Sequence, residues 1–128
     1  MSTLVSKLAR SFLFTKIIAM VAAHANFLLP GQRLADTPHW FAIRHPHPAY
    51  PVHILILPRR AITDWLSFPA NEPEMYVEFV ELSQRLIRDE RLEGIGYRLI
   101  VNGGEYQSIP QFHVHLVSGN PEDAKKSV

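Results

Sequence analysis

The residues Gln111-Phe112-His113-Val114-His115-Leu116-Val117 alternate polar with apolar side chains. In an extended strand, successive side chains point to opposite faces. Phe112, Val114 and Leu116 would then enter a core, while Gln111, His113 and His115 share the other face. Two imidazoles one repeat apart lie roughly 7 Å from each other, close enough for both to contact one tetrahedral phosphate. A neutral imidazole is a competent nucleophile toward phosphorus near pH 7. A second imidazole, when protonated, donates a charge-assisted hydrogen bond to a phosphoryl oxygen. Asn102, Gln107 and Ser108 precede the run and supply further amide and hydroxyl donors, and Gly103 and Gly104 let backbone approach a ligand closely. Phosphoryl transfer depends mainly on positioning and charge stabilisation, so this inventory suffices without a metal or other cofactor. Spacing alone leaves two other readings open. Alternate strand histidines can chelate a metal ion, with His45, His47 and His53 as further ligands, and a His-x-His pair can equally be structural.

The elements that must position these residues are readable in outline. His39 to Arg44 reads as a strand, and Val52 to Leu57, almost continuously apolar, as a central one. Between them His45-Pro46-His47-Pro48-Ala49-Tyr50-Pro51 holds three prolines, which remove ladder donors and fix φ, so a rigid connector is expected. Thr63 to Phe68 suggests one short helical turn. Asn71 reads as an N-cap with Glu74 as its capping-box partner, opening a helix to about Arg91 that Gly94 stops. Its apolar stripe is Met75, Phe79, Leu82 and Leu86, widened by Tyr76 and Val80. Tyr97 to Val101 is the next strand, Asn102-Gly103-Gly104 a turn, and the histidine run the last strand. Both strand pairs have connections too short for a parallel crossover, which predicts an α+β fold: an antiparallel sheet with helices packed on one face.

A length of 128 residues suits a single domain with its own core. The absence of cysteine excludes disulfides, thiolate metal sites and a cysteine nucleophile, and fits a cytoplasmic protein. The net charge of +1 gives no indication of nucleic acid as a partner. The first 60 residues nevertheless carry seven Lys or Arg against one acid, Asp36, a bias suited to an anionic ligand or a membrane surface. Within residues 1–35, Leu13, Ile17, Met20 and Val21 fall at helical spacing. A helix docked on the domain is the favoured reading. Contact with a membrane surface uses the same residues, and Ala23-His24-Ala25 has the form of a leader cleavage site. Pro30-Gly31 marks a turn, and residues 120–128 read as a polar tail.

The stretch from Tyr97 through Asn102-Gly103-Gly104, Gln107-Ser108 and His113-Val114-His115 to Gly119 resembles the signature of the histidine triad (HIT) family. A second block, Tyr50-Pro51-Val52-His53-Ile54-Leu55-Ile56-Leu57-Pro58-Arg59-Arg60-Ala61-Ile62, is similar to that family's Ala-Pro-x-His segment. The likeness spans roughly residues 36–119, a HIT-like domain between the N-terminal helical extension and the tail.

The resemblance implies a HIT-like α+β fold, a homodimer, and a nucleotide hydrolase or nucleotidyl transferase acting on phosphoramidates or phosphoanhydrides without a cofactor. It makes His113 the nucleophile that forms a covalent nucleotidyl-histidine, and His115 a phosphate-binding residue. Asn102, Gln107 and Ser108 match phosphate-contacting positions, and His53 matches a supporting histidine on the adjoining strand. Two departures stand out. The first triad histidine is replaced by Gln111, which cannot shuttle a proton at pH 7. Arg44 and His45 stand where the family often places a ribose-binding acid. These departures favour, as an alternative, a phosphate- or nucleotide-binding protein with little turnover.

Overall fold

The computed structural model describes residues 33–126; the N-terminal helix and the Pro30-Gly31 turn expected from the sequence lie outside them. The described residues form five strands, β1 (Arg33–Asp36), β2 (Trp40–Arg44), β3 (Val52–Pro58), β4 (Arg98–Ile100) and β5 (Val114–Ser118), and a single α-helix, α1 (Pro73–Asp89), which joins β3 to β4. Short 3-10 turns occupy Trp65–Ser67, Gly104–Tyr106 and Pro121–Lys126, the last within the expected polar tail. The sheet order is β1-β2-β3-β5-β4, and every neighbouring pair is antiparallel. This is the α+β arrangement expected. Strand β1 was not: its half-exposed Arg-Leu-Ala-Asp sequence is too short and too polar to announce a strand, and it forms by pairing with β2.

Residues paired across an antiparallel ladder share a face, so the register sorts the sheet into two sides. On the α1 side lie Trp40, Ala42, Ile54, Ile56, Val114 and Leu116, packed against Met75, Leu82, Leu86 and Ile87 of the helix. On the other side lie Phe41, Ile43, Leu55, Leu57 and Val117, all buried, with His53 and His115 among them. Trp40 anchors the first side. Its ring meets Phe68, Phe79 and Phe112 at centroid distances of 5.8, 5.0 and 6.4 Å, and its indole N–H donates to the Met75 carbonyl at 3.0 Å. A buried tryptophan needs such a partner for its one polar atom.

The ends of α1 depart from expectation. Glu72, not Asn71, is the N-cap residue, and no side chain caps the helix. Pro73 explains this: its fixed φ suits the first helical position, where its missing N–H costs nothing. The Glu72 carboxylate instead accepts from Arg60 at 2.5 Å. The buried stripe is Met75, Leu82, Ser83, Leu86 and Ile87; Val80 is left half-exposed. At the other end the helix stops at Asp89, five residues before Gly94. The Leu92 N–H reaches the Ile87 carbonyl at 3.0 Å and the Arg91 N–H the Arg88 carbonyl at 3.0 Å. That pair of bonds is a Schellman closure, with Arg91 at φ 59° in the position that favours glycine.

Strand β5 begins at Val114, so Gln111, Phe112 and His113 precede it. The cause is local: the Phe112 N–H bonds the Ile62 carbonyl at 2.6 Å, outside the sheet ladder. At its far end, Gly119 (φ 89°) turns the chain so tightly that a Cβ there would stand 2.7 Å from Pro51 Cγ.

Candidate active site

Four imidazoles meet at one end of the sheet, on the side opposite α1. His53 comes from β3, His115 from β5, His113 from the residue before β5, and His45 from the residue after β2. Ring centroids step from His45 to His53 by 4.3 Å, from His53 to His115 by 5.1 Å, and from His115 to His113 by 4.8 Å. His53 and His113 are buried; His45 and His115 are partly so.

Backbone groups fix which nitrogen of each ring carries hydrogen. The Ala49 N–H donates to His53 Nδ1 at 3.0 Å, so neutral His53 bears its proton on Nε2. That Nε2 lies 2.8 Å from His115 Nδ1, and therefore donates to it. His115 in turn carries its proton on Nε2 and offers a donor outward. His113 is set the opposite way. Its Nδ1 stands 2.7 Å from the Gln111 main-chain carbonyl, which can only accept, so Nε2 is left as a lone pair. His45 Nδ1 accepts the His47 N–H at 2.9 Å, which makes its Nε2 another outward donor.

Burial lowers the pKa of His45 to about 3, aided by the neighbouring His53, His115, His113 and His47. Burial likewise lowers His115 to about 3, with His113 and His53 adding to it. His53 falls to about 4, through burial and then His113. Burial also lowers His113, opposed by its bond to the Gln111 carbonyl. All four are shifted toward the neutral form, so the condition of a protonated second imidazole is not favoured: the donor is a neutral N–H, and the charge in the bond comes from the ligand.

Other expected site residues fall differently. Gln111 does not stand beside the histidines on an open face. It is 1% exposed, its Nε2 donates to the Phe112 carbonyl at 3.2 Å, and its Oε1 has no partner among the described residues. What it gives the site is its main-chain carbonyl. Gln107 donates to the Thr63 carbonyl at 2.7 Å, and with exposed Ser108 lines a shallow hollow shared with Asp64, Gly104 and Ile109. Among the described residues, no hydrogen bond ties Asn102 or Ser108 to the imidazoles. Arg44 faces the α1 side and holds Glu90 bidentately at 3.1 and 2.9 Å, so of the two residues at the expected acid position only His45 reaches the site. His45, His47 and His53 do not converge as a ligand set, and no group of three or more His, Asp or Glu among the described residues is arranged to hold a metal ion. No helix among the described residues is long and apolar enough to cross a membrane.

The sequence did not reveal the backbone contacts from Ala49, His47 and Gln111. An amide or carbonyl is the same in every residue, so such contacts leave no residue-type signal. The proline-rich connector was the trace of those from His47 and Ala49.

The HIT domain family matches residues 26–122 of the chain. The HIT-like protein CPj0488/CpB0508 of Chlamydia pneumoniae is 28% identical over 96 residues, covering 73% of this chain and 86% of that protein. The 14 kDa zinc-binding protein of Zea mays is 34% identical over 97 residues, covering 71% and 73%. Among solved structures, the HIT family hydrolase of Clostridium thermocellum superposes with a TM-score of 0.68 at 25% identity, covering 80% of this chain and 89% of that one. Family match, sheet topology and clustered imidazoles agree: the chain belongs to the HIT domain family.

Proposed function

We propose that this protein is a hydrolase or transferase of nucleotide phosphoramidates, phosphoanhydrides or related phosphate esters, with His113 as nucleophile. The observation that carries the reading is the bond from His113 Nδ1–H to the Gln111 carbonyl, which leaves a neutral Nε2 lone pair facing outward. That lone pair attacks phosphorus: an N–P bond forms, the bond to the leaving amine or phosphate breaks, and the leaving group takes its proton from solvent. Water then attacks the phospho-histidine, restoring His113. His115 Nε2–H bonds a non-bridging oxygen and stabilises the charge that develops there. His53 is a positioning residue, because it sets the His115 tautomer. Asn102, Gln107 and Ser108 are assigned as further phosphate contacts on the family resemblance alone, since among the described residues Gln107 is held by the Thr63 carbonyl. The hydrolase name of the Clostridium thermocellum relative supports the reaction class.

The test is covalent trapping. Incubated with adenosine phosphoramidate and quenched in acid-free denaturant, the wild-type protein is expected to gain one adenylyl mass, mapped to His113. The His113→Ala variant should show neither adduct nor turnover. Equal turnover by the two proteins would refute the mechanism. A second reading, ligand binding with little turnover, is favoured by Gln111, which supplies no side-chain proton. It predicts binding by calorimetry in the wild type without any adduct.

The homodimer is proposed at the β4 edge. Leu99 and Val101 are each 42% exposed there, and with Tyr76, Val80 and Trp65 they border an apolar hollow of about 190 Å³ without polar lining atoms. An open strand edge beside such a patch suits a second copy of the same chain, which can add its own edge and cover the same surface.

A further inference from the structure

Resting on the phosphate-handling reading above, we infer that His45 makes this site select phosphate ligands that carry a second anionic acceptor, a further phosphate or a carboxylate, where a sugar diol would otherwise be bound. The residue stands at the open end of the imidazole row. Its ring lies over His53 at 4.3 Å and nearly parallel to His115 at 6.2 Å with an interplanar angle of 20°. The His47 N–H occupies Nδ1, so Nε2–H is a donor with no hydrogen-bond partner among the described residues. His115, its ring 6.2 Å away, carries a second ring N–H, and His113 Nε2 keeps a lone pair. The site therefore meets its ligand with two fixed donors and one nucleophile.

A vicinal diol needs acceptors for its two O–H protons, and a ring N–H cannot accept. Among the described residues this face offers no carboxylate; its side-chain acceptors are the nucleophilic His113 Nε2 and the single hydroxyl of Tyr50, whose ring lies 5.5 Å from His53. On β2, β3 and β5 the residues of this face are Phe41, Ile43, Leu55, Leu57, Val117 and the histidines, and the connector from His45 to Pro51 holds no acid. Glu90, the carboxylate bonded to the adjacent Arg44, lies on the α1 side. A hydroxyl half-buried at His45 would keep an unmet proton, which is costly. An anionic oxygen accepts the N–H with nothing left over, and its charge strengthens the bond. His45 is separated from the nucleophile by His115, in ring steps of 6.2 and 4.8 Å, so the second acceptor sits a short bridge beyond the reacting phosphorus.

The experiment is calorimetry of the full chain with inorganic phosphate, pyrophosphate, 2-phosphoglycolate, adenosine monophosphate and its 2′,3′-dideoxy analogue. Pyrophosphate or phosphoglycolate should bind at least tenfold more tightly than phosphate, and which of them does so separates a second phosphate from a carboxylate. The two nucleotides should bind within threefold of each other. In His45→Ala the tenfold preference is expected to vanish, and in His45→Asp the ribonucleotide should outbind its dideoxy analogue. A tenfold ribonucleotide preference in the wild type, an undiminished pyrophosphate preference in His45→Ala, or no binding of any probe would overturn the inference. Binding is read without turnover, so a protein that shows these preferences but forms no His113 adduct loses the hydrolase reading and keeps this one.

Discussion

The Gln111 side chain lies inside the protein at 1% exposure with an amide oxygen that meets no donor among the described residues. A buried acceptor left unpaired costs free energy that an apolar group of similar shape avoids. Gln111→Met should therefore stabilise the fold by about 1 kcal/mol, read as a raised urea midpoint. The same variant should keep adduct formation at His113 within about threefold of wild type, because the nucleophile is held by the residue 111 main-chain carbonyl. A loss of tenfold or more would show that the amide itself takes part. Residue types at this scale were legible: His113, His115 and His53 could be picked from the sequence and do converge. Their protonation pattern was not, since it is written by backbone groups, and neither was the burial of the Gln111 side chain, whose main chain rather than its amide meets His113.

At the scale of elements, α1 closes with Arg91 at φ 59°. A non-glycine residue in that conformation costs about 1 kcal/mol or more, and the exposed Arg91 side chain shows no compensating contact among the described residues. Arg91→Gly should relieve this, raising Tm by about 4 °C for a chain of this size; an unchanged or lower Tm would contradict it. This helix end also shows why boundaries escape sequence reading. Gly94 carried the stop signal, yet burial of Leu92 at 1% exposure beside Ile87 closed the helix earlier. Strand β3 was legible because burial on both sides makes it apolar throughout, whereas β1 was not, its pairing with β2 being a tertiary event.

For the whole molecule, two properties can be measured. The first is acid sensitivity. In the fold the four clustered histidines have pKa values below their ordinary value, with His45 and His115 at about 3 and His53 at about 4. In the unfolded chain they return to about 6.5. Below that pH the unfolded chain binds protons that the folded one refuses, so stability falls as pH drops from about 6.5 toward 4. Glu78 adds a loss at lower pH still. Partial burial would raise its carboxyl, but bonds from Thr37 and from the His39 ring and amide hold it below the usual range, so its stabilisation disappears as it protonates. A urea midpoint unchanged between pH 6.5 and 5 would contradict the histidine part. The second property is assembly. Val80→Lys places a charge on the apolar patch beside β4 without touching the buried stripe of α1. It should convert the proposed dimer to a monomer in sedimentation, and a variant that sediments as the wild type does would contradict the β4 interface.

The link from the Ala49 amide through His53 to His115 has a direction, as a row of compass needles does. Reversing the last needle requires reversing the one before it, and that one is pinned by a backbone proton that cannot turn. His115 can therefore give a hydrogen bond but cannot relay a proton inward without breaking the row. Whether the site greets its ligand as giver or receiver is thus decided in a loop of prolines, at a residue whose side chain is a single methyl. An exchange of Ala49 for proline would remove the pin without altering any histidine in the sequence.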